Sequence, residues 1–238
     1  IFCLDLYKNK RIVIISGHYG VGKSEFASNL AIALSSLDKK VAVIDLDVVN
    51  PYFTTRGITD FLNKYNIEVI GPSREATHAD LPAIPKEVTA AILDDNINLV
   101  IDLGGDAAGS KALGRYNEIL SKVGYDLFYL VNVNRPFSED VEGVLSFLKD
   151  IENATRLKVS GIVNSTHLLF ETSLADLNRG EEVCIKVSKI LSIPYRYLVL
   201  PEWILEEYKK SDFKTKAQEV FPLDLTLRPV WLGMDNLD

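Results

Sequence analysis

The tightest constraint on this chain is a block near its start. The apolar run Arg11-Ile-Val-Ile-Ile-Ser16 leads into Gly17-His-Tyr-Gly-Val-Gly-Lys-Ser24, and Glu25-Phe-Ala-Ser-Asn-Leu-Ala-Ile-Ala-Leu34 follows. A buried strand, a glycine-rich loop and a helix are predicted in that order, and the loop fits G-x-x-x-x-G-K-[ST]. The pattern makes physical sense as an anion cradle. Gly17, Gly20 and Gly22 let the backbone bend so that N–H groups, including those of His18, Tyr19 and Val21, converge on phosphate oxygens. The helix N-terminus at Glu25 adds positive potential, Lys23 reaches the outer phosphates, and the Ser24 hydroxyl can ligate Mg²⁺.

The rest of the chain repeats strand and helix in alternation. Strands are predicted at 11–16, 41–45, 68–71, 99–103, 127–133, 159–164 and 195–200, several as continuous Val/Ile/Leu runs of the kind buried on both faces of a parallel sheet. Helices are predicted at 23–37, 85–94, 111–122, 139–153 and 174–191, with Ser138 capping the fourth and Gly180 interrupting the last. The expected fold class is α/β: one doubly wound, mostly parallel sheet of about seven strands with helices on both faces. A single domain is expected over 1–238, with its core at about 11–200 and an irregular C-terminal extension at 213–238.

Two further strand ends are acidic. Val41-Ala-Val-Ile-Asp-Leu-Asp47 places Asp45 and Asp47 at the carboxyl end of the second strand, where ligands of open α/β sheets bind. Leu99-Val-Ile-Asp-Leu-Gly-Gly105 ends another strand on Asp102, a carboxylate able to hold Mg²⁺ through water, with Gly105 open to close approach by a γ-phosphate.

Lys23, Asp45/Asp47 and Asp102–Gly105, in that order, resemble the CobQ/CobB/MinD/ParA nucleotide-binding family, SIMIBI-class P-loop NTPases. The resemblance implies ATP and Mg²⁺ as cofactors, Asp47 as the residue orienting the attacking water, and Asp45 as an outer contact to the metal. It also implies that Asn164, ending the 159–164 strand, and Pro201, after the next strand, contact the base. One departure stands out: His18 occupies the place of the family's signature Lys. A neutral imidazole cannot supply a permanent charge there, which puts the family's nucleotide-sandwich homodimer in doubt. Arg56, first of all, and Lys111, Arg115 and Arg135 are alternative cations.

Three functions follow. The first is a Mg-ATP-dependent ATPase switch acting on a protein partner, with 48–57 and 104–109 as switch loops. The second is an ATP-dependent small-molecule ligase or kinase resembling dethiobiotin synthetase, with 71–82 contacting substrate. The third, a GTPase metallochaperone, is disfavoured because Asn164-Ser-Thr-His167 is not the N-K-x-D guanine reader and no Cys/His metal pair is present.

Composition narrows the setting. With 47% hydrophobic and 25% charged residues the chain is globular, and a net charge of −7 argues against nucleic-acid binding. No apolar run reaches the roughly 18 residues of a membrane span, and no basic–apolar leader is visible. The chain begins at Ile1 rather than Met, so a few residues are expected to precede it. Cys3 and Cys184, far apart, are expected as reduced thiols of a cytoplasmic protein, and His18, His78 and His167 show no metal-ligand spacing.

Overall fold

The computed structural model describes residues 5–37, 39–46, 59–71, 86–105 and 107–227. Eight strands form one sheet: β1 (Ile12–Gly17), β2 (Lys40–Asp45), β3 (Ile67–Ile70), β4 (Ile97–Asp102), β5 (Asp126–Val131), β6 (Gly161–Asn164), β7 (Tyr195–Pro201) and β8 (Glu219–Leu223). Their order is β3-β2-β4-β1-β5-β6-β7-β8, and every adjacent pair is parallel. The strand that feeds the phosphate loop is therefore central, and all carboxyl ends meet along one edge.

Helices cover both faces, as doubly wound topology requires. Those described are α1 (Lys23–Ser35), α2 (Thr59–Asn63), α3 (Lys86–Leu93), α4 (Ala107–Gly114), α5 (Asn117–Val123), α6 (Val141–Thr155), α7 (Leu174–Leu191) and α8 (Leu205–Lys210). In α1 the apolar positions Phe26, Ala27, Leu30, Ala31 and Leu34 recur at helical spacing and pack on Val13, Ile15, Val43 and Val100. Each large side chain buried there contributes about 1.5–3 kcal/mol. On the opposite face α3 to α7 pack against Ile12, Ile14, Ile101 and Tyr129. None of the described helices is long and apolar enough to cross a membrane.

Four sequence expectations change. The eighth strand lies inside the segment read as irregular: Pro222 hides it from a strand pattern, yet β8 is an edge strand and tolerates a missing N–H. The 111–122 helix is two helices, because the Gly114 carbonyl is taken by the side chains of Asn117 (2.8 Å) and Arg156 (2.7 Å), and a Cβ on Gly114 would stand 2.7 Å from the Ala154 carbonyl. Asp140, not Ser138, caps α6, accepting the Gly143 N–H at 2.8 Å. Ser138 instead accepts the Asn132 N–H at 3.2 Å, closing the turn before the helix. Finally, Gly180 does not interrupt α7, which runs unbroken behind a Ser173–Asp176 capping box.

Candidate nucleotide-binding site

The predicted loop has the backbone its glycines allow. Gly20 (φ 72°) and Gly22 (φ 90°) are both left-handed, and the chain turns directly from β1 into α1. Lys23 is nearly buried, and its ammonium donates to the His18 carbonyl at 3.0 Å, folded back over the loop. It also stands 5.7 Å from the Tyr19 ring centroid.

Asp45 and Asp102 are register partners on β2 and β4, and both are fully buried. Side chains alternate along strands, so Asp45 shares the face of Val43, and Asp102 that of Val100. That face packs against α1, so the carboxylates lie on the side of the sheet that carries Lys23 and Ser24. Two neighbouring buried carboxylates oppose each other's ionisation unless cationic charge joins them. With the Ser24 hydroxyl at the start of α1 they make an all-oxygen set fitting Mg²⁺ held partly through water. Among the described residues no cluster of three His, Cys, Asp or Glu side chains forms a protein-only metal site.

The loop after β4 packs onto the phosphate loop. A Cβ on Gly105 would lie 3.1 Å from Lys23 Nζ and 3.1 Å from the Tyr19 nitrogen, so only glycine fits without displacement. Asp47, Arg56, Asp106 and the loops 48–57 and 72–82 lie outside the described residues. Lys111 and Arg115 are exposed on and just after α4.

The remaining predicted residues have the following surroundings. His18 is half-buried, with ring centroids 5.3 Å from Phe137 and 4.7 Å from Phe147. Desolvation and the Lys23 charge hold its pKa below the usual value, so it is neutral at physiological pH. The Glu25 carboxylate accepts from Thr226 N–H and O–H and from Leu227 N–H, tying α1 to the segment after β8. Asn164 is fully buried, its amide donating to the Leu177 carbonyl (3.0 Å) and accepting the Thr166 N–H (3.0 Å). A Cβ on Gly180 would be 2.4 Å from Asn164 Oδ1, so α7 packs directly over it. Pro201 is buried at the end of β7, in register with Leu223 of β8.

On the far side of the loop lie Arg135, one of the candidate cations, and two residues the sequence reading did not assign to the loop, Ser165 and His167. Ser165 donates to the Val21 carbonyl at 2.8 Å, and Arg135 Nε donates to the Gly20 carbonyl at 3.1 Å. The His167 ring covers Gly22, its Nε2 3.2 Å from where a Cβ would stand, and burial together with the Arg135 charge lowers its pKa to about 4. The available signal was positional: Arg135 follows β5, the neighbour of β1, and Ser165 and His167 follow β6, the strand beyond it.

Comparison with known proteins agrees with this fold. A family model described as ParA, NUBPL iron-transfer P-loop NTPase, matches residues 8–72. An iron-sulfur cluster carrier protein of Methanocaldococcus jannaschii is 30% identical over 187 residues, covering 77% of this chain and 57% of that protein. A protein of the same name from Aquifex aeolicus is 52% identical over 44 residues, 18% of this chain and 12% of that one. The chain thus spans little more than half the length of the first relative and a small part of the second. Among solved structures, FtsY from Mycoplasma mycoides aligns with TM-score 0.51 at 16% identity, covering 82% of this chain and 62% of that one. The Signal Recognition Particle 54 kDa protein from Aeropyrum pernix K1, in complex with GDP, aligns with TM-score 0.53 at 15% identity, covering 94% and 43%. At these identities the likeness is one of fold. Together the matches bear out the resemblance to ParA-type, SIMIBI-class P-loop NTPases, and the relatives' names describe an iron–sulfur carrier role that the sequence reading did not include.

Proposed function

We propose that the chain binds a Mg²⁺-complexed nucleoside triphosphate, ATP first, at Gly17–Glu25 and uses its hydrolysis as a switch acting on a partner. The observation that carries this reading is the in-register pair of buried carboxylates, Asp45 and Asp102, on the α1 face of the sheet beside Lys23. In this reading Lys23 leaves the His18 carbonyl for the outer phosphate oxygens, and the loop N–H groups take the inner ones. Ser24, Asp45 and Asp102 would hold Mg²⁺, which when bound neutralises charge on the transferring phosphoryl group. Gly105 leaves room for the γ-phosphate beside Lys23, and Asp47 orients the attacking water.

The relatives' names suggest that the switch serves iron–sulfur cluster transfer. Clusters are held by thiolates. Cys184 is fully buried with its pKa raised by desolvation, so it is closed to a cluster. A cluster cargo would therefore be held through Cys3 or through a partner's thiolates. The closed Cys184 thiol, with a neutral His18 in the signature position, supports as second reading a small-molecule ligase or kinase using the same nucleotide site.

Calorimetry with Mg-ATP and Mg-GTP, followed by turnover, tests the proposal. ATP binding that Lys23→Ala weakens at least a hundredfold is expected. Near-wild-type affinity in that variant would refute the site.

A further inference from the structure

The phosphate loop carries one cationic side chain, Lys23, and His18 beside it is neutral. A second charge nevertheless rests on the loop. Arg135 donates from Nε to the Gly20 carbonyl, and its side chain covers that glycine: a Cβ there would lie 3.5 Å from Nε, 3.6 Å from Cδ and 3.9 Å from Cζ. The contact is built by the fold. Arg135 sits four residues past β5, in a turn closed by its own N–H to the Asn132 carbonyl (3.0 Å) and by the Ser138 N–H to the Arg135 carbonyl (3.1 Å). Pro136 then fixes the next backbone angle.

Among the described residues Arg135 forms no ion pair, whereas Arg179 on α7 is matched by Asp176 at 2.5 Å. One edge of the Arg135 guanidinium is thus anchored to the loop backbone, and its terminal nitrogens Nη1 and Nη2 are left for a ligand. A planar fork held in this way suits bidentate contact with phosphate oxygens. The other group over the loop from this side, His167, is kept neutral by burial and by Arg135 itself, so it does not compete as a cation.

We propose that Arg135 is a phosphate-contacting residue, its Nη1 and Nη2 donating to the outer phosphate oxygens of a nucleotide seated at Gly17–Ser24. It supplies from the same chain the charge that the His18 position lacks. The assignment rests on the nucleotide-binding reading above and adds a specific prediction: Arg135 discriminates by phosphate charge, stabilising the transferring phosphoryl group more than the diphosphate.

The test is calorimetry of the full chain with Mg-ADP, a non-hydrolysable ATP analogue, and Mg-ADP with fluoroaluminate as a mimic of the transferring group. Wild type, Lys23→Ala, Arg135→Gln and Arg135→Lys are compared. Arg135→Gln is expected to bind ADP within about threefold of wild type and ADP–fluoroaluminate about a hundredfold more weakly, with Arg135→Lys in between. Equal weakening of all three ligands would make Arg135 a brace for Gly20 and overturn the assignment. Unchanged fluoroaluminate affinity would also overturn it. Should Arg135→Gln fail to fold, Arg135→Lys alone decides, since it keeps charge and length but loses the fork. Wild type that binds none of the ligands would refute the nucleotide reading and this proposal together. Wild-type binding with indifferent Arg135 variants would refute this proposal only.

Discussion

Gly105 shows how little room the phosphate loop leaves around its lysine. An added methyl at 3.1 Å from both Lys23 Nζ and the Tyr19 nitrogen must push one of them aside. Gly105→Ala should therefore fold normally yet bind nucleotide at least about tenfold more weakly, some 1.4 kcal/mol. Thermal melting and calorimetry on the same sample check both halves. His167 gives a pH-dependent signature. Burial and Arg135 lower its pKa to about 4 from 6.5, so the folded chain takes up that proton less readily than the unfolded one. Its contribution is then fully present above about pH 6.5 and is lost as pH falls toward 4, with an upper limit of about 3 kcal/mol. The urea midpoint of wild type should drop between pH 7 and pH 5 more than that of His167→Gln; equal drops would place the titration elsewhere. At this scale the strand-end positions of Asp45 and Asp102 could be read in advance, since a carboxylate closing an apolar run falls at the carboxyl edge of a parallel sheet. The surroundings of Asn164 could not, because the Leu177 carbonyl, the Thr166 N–H and Gly180 that enclose it are brought there only by tertiary packing.

Among the elements, α7 is the instructive case. A glycine in mid-helix costs about 1 kcal/mol relative to alanine and reads as a break. Here the helix needs it, because a Cβ on Gly180 would stand 2.2 Å from Thr166 Oγ1 and 2.4 Å from Asn164 Oδ1. Gly180→Ala should then destabilise the protein by about 1–3 kcal/mol despite its better helix propensity, as overpacking does. A stabilised variant in urea unfolding would contradict the close packing of α7 on the β6 end. The α6 cap follows similar logic. Ser138 and Asp140 are both good cap residues, and the sequence does not separate them. The turn at 132–138 does, by engaging the Ser138 hydroxyl with the Asn132 N–H. Replacing Asp140 by alanine should cost about 0.5–2 kcal/mol, whereas a larger loss from Ser138→Ala would reverse these roles.

Over the whole molecule, seven strands and the two-faced helix arrangement were legible because buried parallel strands are written as unbroken apolar runs. The eighth was not, since an edge strand needs neither alternation nor a full set of N–H donors, and Pro222 masks it. Past that strand the chain returns to where it began: Asn29 of α1 exchanges two hydrogen bonds with the Asp224 backbone, and Glu25 holds Thr226 and Leu227. Phe221 and Phe26 complete the contact, with ring centroids 4.8 Å apart. Removing the carboxylate in Glu25→Ala should cost about 1.5–3 kcal/mol and speed proteolytic cleavage near residue 224, because charge-assisted bonds to backbone N–H groups are lost. This closure orders events during synthesis. β1 gains its neighbours only once β4 and β5 have been made, and α1 is sealed only by β8 and the residues just after it. A nascent chain that has passed the phosphate loop therefore carries this motif on a helix that stays uncovered until β8 has been made.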